Sequence, residues 1–85
     1  MVEETEIQRG YKAKQLLDEP LLKEAFDKLE ALYKEEIFLT KVDEDKERTN
    51  IYLCYNTLTT VKAHLLEIMQ TGELAEQSKQ APKVF

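Results

Sequence analysis

The sequence predicts an all-α protein: a short N-terminal helix, a kink at Pro20, then a long antiparallel helical hairpin that is expected to be oligomeric. Two apolar rhythms and one break carry this reading. Ile51, Cys54, Leu58, Val61, Leu65 and Ile68 recur at steps of 3, 4, 3, 4 and 3, which places them on one stripe of a helix. Leu22, Phe26, Leu29, Tyr33 and Ile37 advance by 4, 3, 4 and 4, a second stripe able to cover the first. Pro20 separates this second rhythm from the segment before it.

A strand is the competing reading of the later segment, because Ile51–Tyr55 and Thr57–Val61 are rich in β-branched and aromatic residues. A strand register would put Ile51, Leu53, Tyr55, Thr57, Thr59 and Val61 on one side and turn Cys54 and Leu58 outward. The helical period also continues through Leu65, Leu66 and Ile68, so the helix is preferred.

The chain has 85 residues, enough for one domain. The sequence divides into a flexible tail over 1–10, a helical domain over 11–72 and a second flexible tail over 73–85. Met1–Gly10 is polar and ends in glycine. Tyr11–Asp18 reads as a short helix with Ala13, Leu16 and Leu17 on one side, too short to stand without docking. Proline is well tolerated at the first position of a helix, where its missing N–H would be unpaired anyway. Asp18 is the expected cap before Pro20, and the residue preceding proline disfavours a straight run-through.

Pro20–Leu39 is the second helix. Leu21, Ala25, Leu32 and Phe38 flank its stripe, and Lys23, Asp27, Glu30 and Lys34 are expected on the solvated side, with Glu30–Lys34 an i,i+4 pair. Thr40–Asp45 makes the turn. The third helix is expected from about residue 44 to about 70, starting near Asp43 or Asp45, with Glu44 and Glu47 where the helix dipole favours negative charge. Gly72 is the expected stop, with Leu74 folding back onto the helix. Val84 and Phe85 form an apolar end, expected to be frayed.

Composition excludes several classes of function. The formal charge is −5. Residues 1–48 carry 14 acidic and 9 basic side chains, and residues 49–85 carry three of each. An acidic surface argues against nucleic acid, which needs concentrated Lys and Arg. No apolar run approaches the length of a membrane span, and Met1–Gly10 lacks the order of a signal peptide.

Reaction chemistry is missing too. Cys54 is the single cysteine; on the main stripe it predicts a buried thiol. His64 is the single histidine, expected to be solvated in a polar band with Thr57, Thr60 and Thr71. Cys54 and His64 lie on different faces, a poor start for zinc. The acids Asp43, Glu44, Asp45 and Glu47 lack the central glycine and ligand spacing of a calcium loop. With Gly10 and Gly72 the only glycines, there is no phosphate loop. The expectation is therefore no enzyme, cofactor, metal or small-molecule substrate.

What remains is a surface. Only Lys62 and Glu67 are charged between Thr49 and Gln70, in a chain that is 34% charged. Tyr52, Leu53, Tyr55, Leu66 and Met69 lie beside the main stripe and widen it beyond what one helix can cover. Tyr52, Tyr55, Thr59, Leu66 and Met69 are the candidate protein interface, suited to a second copy or another protein. Thr57, Thr59 and Thr60 either bond back to backbone carbonyls one turn earlier or make room for an approaching helix.

The segments GYKAKQLLDEPLLKEAFDKLEALY and VKAHLLEIMQTGELA, joined by Arg48 and Ile51-Tyr52, resemble a group of small helical proteins of tailed bacteriophages and prophages, encoded among virion-morphogenesis genes. The resemblance covers about Gly10–Ala75. It rests on Leu16-Leu17, Pro20-Leu21-Leu22, Ala25-Phe26, His64-Leu65 and Thr71-Gly72. It implies a virion assembly or structural role, with a homo-oligomer or another virion or host protein as partner. It also implies a location in the cytoplasm of the host bacterium or in the virion. No catalytic residue is implied. The alternative reading is an acidic monomeric inhibitor or regulator that binds a basic site on a host protein.

Overall fold

A computed structural model describes residues 2–80, with side chains from Glu4 to Lys79. Three helices make up the described chain: α1 is Val2–Asp18, α2 is Pro20–Leu39 and α3 is Asp45–Gln80. No described residue is in a strand. No helix among them is long and apolar enough to cross a membrane. The all-α class expected from the two apolar rhythms is what the chain adopts.

The breaks follow from local chemistry. Glu19 alone separates α1 from α2, and its N–H donates to the Leu16 carbonyl at 3.2 Å. Pro20 has no N–H to offer α1 and pushes the residue before it out of helical conformation. Asp18, expected as a cap, instead ends α1. The bounds of α2 are those read from the sequence.

Between α2 and α3 the turn is held by side chains. The Thr40 hydroxyl donates to the Ile37 carbonyl at 2.6 Å, and the Lys41 N–H donates to Glu44 Oε1 at 2.8 Å. The first bond of α3 runs from the Arg48 N–H to the Glu44 carbonyl at 3.1 Å. Asp45 and Glu47 then lie in the first turn, where negative charge offsets the helix dipole.

The chain divides into two compact units, one formed by Met1–Glu19 with His64–Phe85 and the other by Pro20–Ala63. Each uses a different stretch of α3.

In the first unit, the sequence expectations need correcting. Of the residues expected as a tail over 1–10, those from Val2 onward belong to α1, which begins there rather than at Tyr11. Gly72 does not stop α3, which runs on to Gln80. The reason is a close crossing of the two helices. A Cβ placed on Gly10 would lie 2.8 Å from the Gly72 Cα, and one on Gly72 would lie 2.9 Å from the Glu6 carbonyl oxygen. Neither glycine has a positive φ, so each is selected here for missing bulk, not for turn geometry. Ala13 and Ala75, three residues further along each helix, are 3% and 7% exposed. Leu74, expected to fold back, points away and is 66% exposed. Tyr11 donates its hydroxyl to the Glu76 carboxylate at 2.7 Å, and Lys79 pairs with Glu4. The expectation for Val84 and Phe85 lies outside the described residues.

In the second unit, α2 and the first part of α3 meet through larger side chains. Leu22, Phe26, Tyr33 and Ile37 are half-buried on α2, as are Ile51, Tyr55 and Leu58 on α3. Glu30 and Lys34, expected on the solvated side, turn toward α3. Lys62 Nζ lies 3.4 Å from Glu30 Oε1, and Lys34 Nζ sits 5.6 Å from the centre of the Tyr55 ring. Leu29 is correspondingly exposed at 36%. The covered stripe of α2 is thus rotated slightly from the one its apolar residues predict, with Glu30 in place of Leu29. An amphipathic side chain can lay its methylenes on an apolar surface while its charge stays in water.

Candidate functional site

Within the second unit, α2 covers the side of α3 that carries Ile51, Tyr55, Leu58 and Lys62. The adjoining side stays open. There Leu53, Cys54, Thr57, Leu58 and Val61 of α3 line a shallow apolar groove with Tyr33 of α2. Leu53 is 54% and Val61 50% exposed. Cys54, expected to be a buried thiol, is exposed. The cause is geometric: one helix of α2's width covers only part of the circumference of α3.

The five residues singled out from the sequence are divided between the two units. Tyr52, Tyr55 and Thr59 belong to the second unit, and Leu66 and Met69 to the first. Tyr52 is 56% exposed and borders a depression with Ile37, Arg48 and Thr49. Tyr55 is half-buried beneath the Lys34 ammonium, a cation–π contact. Thr59 is half-buried as well. Leu66 is 42% exposed, whereas Met69 is half-buried and lines a depression with Gly10, Tyr11 and Gly72. Tyr52 and Leu66 are therefore accessible, while Tyr55, Thr59 and Met69 are largely engaged within their own units.

Leu53, expected beside the main stripe, is exposed, whereas Val61 is a surface residue that the sequence reading placed on the stripe itself. Val61 belongs to the main stripe, and nothing in the sequence distinguishes a stripe residue that a neighbouring helix fails to reach. Tyr33 reads as core and instead closes one side of the groove.

The threonines resolve in favour of backbone bonding. Thr57 donates to the Leu53 carbonyl at 2.8 Å. Thr59 and Thr60 both donate to the Asn56 carbonyl, at 2.9 and 2.7 Å. With their hydroxyls satisfied by the helix backbone, these residues add little polarity to the surface, and Thr57 lines the groove.

His64 is exposed and borders a depression of mixed character with Glu6, Arg9, Glu67, Ile68 and Thr71 in the first unit. Among the described residues, no group of three or more His, Cys, Asp and Glu is placed to hold a metal ion. No buried side-chain nitrogen or oxygen among them lacks a partner.

No protein-family model, curated protein or solved structure matches the chain.

Proposed function

We propose that this chain is a non-enzymatic interaction protein that assembles through the weakly charged surface of α3. In this reading α2 and the first part of α3 form an antiparallel helical hairpin. Contacts between them run in opposite senses along the two helices: Arg48 meets Thr40, Tyr55 meets Lys34 and Lys62 meets Glu30.

The observation that carries the proposal is the amount of large apolar surface that α3 leaves uncovered. Tyr52, Leu53 and Val61 in the second unit, and Leu66 in the first, are each at least 42% exposed, while the buried apolar side chains among the described residues are two alanines. Fully burying one large apolar side chain stabilises by about 1.5–3 kcal/mol. Covering half-exposed side chains of this size, such as Leu53 and Val61 of the groove, therefore gains about 1–3 kcal/mol, a substantial amount beside the marginal stability of so small a chain. A second copy is the natural cover. The chain repels itself at a net charge of −5, yet Thr49–Gln70 brings only Lys62 and Glu67 to the contact.

The resemblance to small phage and prophage proteins supplies the specific version, a virion assembly or structural component. The alternative, an acidic monomeric inhibitor of a basic site on a host protein, is favoured by the acids clustered at Asp43–Glu47.

Light scattering coupled to size exclusion, over a concentration series, tests the choice. Wild type is expected to form a defined oligomer. Leu66→Glu and Val61→Glu, each placing charge at an exposed position, are expected to yield monomers with helicity retained. A wild type that stays monomeric throughout overturns the self-assembly reading and favours the inhibitor.

A further inference from the structure

The α2–α3 turn carries an exposed apolar tip that self-assembly through α3 does not use. Phe38 is 89%, Leu39 72% and Val42 93% exposed, the highest values among the large apolar residues of the described chain. A lone exposed apolar side chain needs no explanation. Three within five positions, at the end of a unit and outside the 49–69 surface, do.

The tip is also held in place. Arg48 reaches back across the turn with three bonds: Nε donates to Thr40 Oγ1 at 2.8 Å, Nη1 to Asp45 at 2.7 Å and Nη2 to the Lys41 carbonyl at 2.5 Å. Together with the Thr40 and Glu44 bonds, these fix the backbone on both sides of Val42. A docking group ordered before binding loses less conformational entropy when it docks.

Charge identifies the occupant. Residues 35–48 carry six acidic and three basic side chains, and the Arg48 charge is already matched by Asp45. Glu35, Asp43 and Glu47 are exposed in this stretch, as are Lys41 and Lys46, and the balance is acidic. A second copy of the same tip meets this stretch with like charge, and so does an anionic bilayer. A partner with an apolar cleft or stripe bordered by Lys and Arg meets it with opposite charge.

We propose that the Phe38–Val42 tip is a second docking surface, and that its partner is a basic amphipathic segment of another protein, a helix with Leu or Phe on one face and Lys or Arg beside it. The apolar side chains supply the contact area, and the acidic balance supplies orientation and rate of encounter. The tip residues lie outside the 49–69 face, so each surface is tested by its own variants.

The test is a titration of the isotope-labelled full chain, followed by amide NMR, with a synthetic Leu/Lys amphipathic peptide. A scrambled peptide of equal composition, and vesicles of phosphatidylcholine with and without phosphatidylserine, serve as comparisons. Saturable shifts centred on residues 38–47 are expected, with binding about tenfold tighter than for the scrambled peptide and weakened at high salt. Phe38→Ser with Val42→Ser, both at exposed positions, is expected to abolish the preference for the amphipathic peptide. Asp43→Lys with Glu47→Lys is expected to weaken binding about tenfold while helicity is retained. Absence of binding, shifts centred elsewhere, equal binding of the scrambled peptide, unchanged binding by both variants, or vesicle binding as strong as peptide binding would each overturn the proposal.

Discussion

The two units pack by opposite means. In the first, α1 and α3 meet where side chains are smallest: Gly10 against Gly72, with Ala13 and Ala75 buried nearby. In the second, α2 and α3 meet through Phe, Tyr, Ile and Leu, none of which is fully buried. The first contact gains little from apolar area and much from backbone proximity, where dispersion acts over many atoms at once. The second gains from area but leaves a good part of it open. A tight crossing of small residues tolerates almost no added volume, whereas a loose contact of large residues tolerates change and retains surface for a partner.

The largest expected effect comes from adding one carbon to the tight crossing. In an open helix, Gly72→Ala would stabilise by about 1 kcal/mol through helix propensity alone. Here the new Cβ would fall 2.8 Å from the Gly10 Cα, and overpacking of this kind costs about 1–3 kcal/mol. The sign of the change therefore reports whether the crossing persists in solution. A lower urea midpoint, with faster proteolysis of α1, is the expected result. A raised midpoint would show that α1 does not press on α3 at this point. Gly10→Ala is expected to behave alike. The double variant should cost less than the sum of the two, because the first added methyl already holds the helices apart.

A smaller effect is expected at the turn of the second unit. Arg48→Ala removes the donors to Thr40, Lys41 and Asp45. A loss of about 1–2 kcal/mol is expected, the usual range for a partly exposed charged hydrogen-bonding group. Hydrogen exchange locates it: amides of residues 40–48 should lose protection, while those around Gly10 keep theirs. Uniform loss along the chain would mean that the two units unfold as one and that their contrast is local geometry only.

This contrast also explains what was legible in the sequence. The all-α class and the bounds of α2 follow from apolar period and one proline, and both are signals of large or rigid residues. The crossing in the first unit was invisible for the same reason. Glycine reads as a breaker, so Gly10 suggested the end of a tail and Gly72 a helix stop, when both are places where another backbone comes close. The signal in the sequence is one of spacing: Gly10 and Ala13 match Gly72 and Ala75, a pairing of small residues on two helices. The candidate surface was legible as composition, since charge is absent from most of Thr49–Gln70. Its division was not, because a helical period places residues on a face without telling how much of that face a neighbour covers. Cys54 and Val61 share the stripe with Leu58, and only Leu58 is half-buried.

The smallest expected effect is a titration confined to the first unit. The Tyr11 hydroxyl donates to Glu76, and this hydrogen bond raises the phenol's pKa above its ordinary 10.0, with desolvation and the carboxylate charge acting in the same direction. A group whose pKa is raised on folding contributes stability that is fully present below its unfolded value and is lost as pH rises through the folded value. The Tyr11–Glu76 contact should therefore be silent across neutral pH and weaken only in the alkaline range, above about pH 10. Ultraviolet difference titration of wild type against Tyr11→Phe isolates this phenol from the other three tyrosines. Ionisation of Tyr11 above its ordinary pKa, with the alkaline fall in stability reduced in the variant, is expected. Ionisation at the ordinary value would mean that the hydroxyl does not hold Glu76 in solution. The small-residue crossing would then be the main tie between α1 and α3, and the Gly72→Ala result would measure it almost alone.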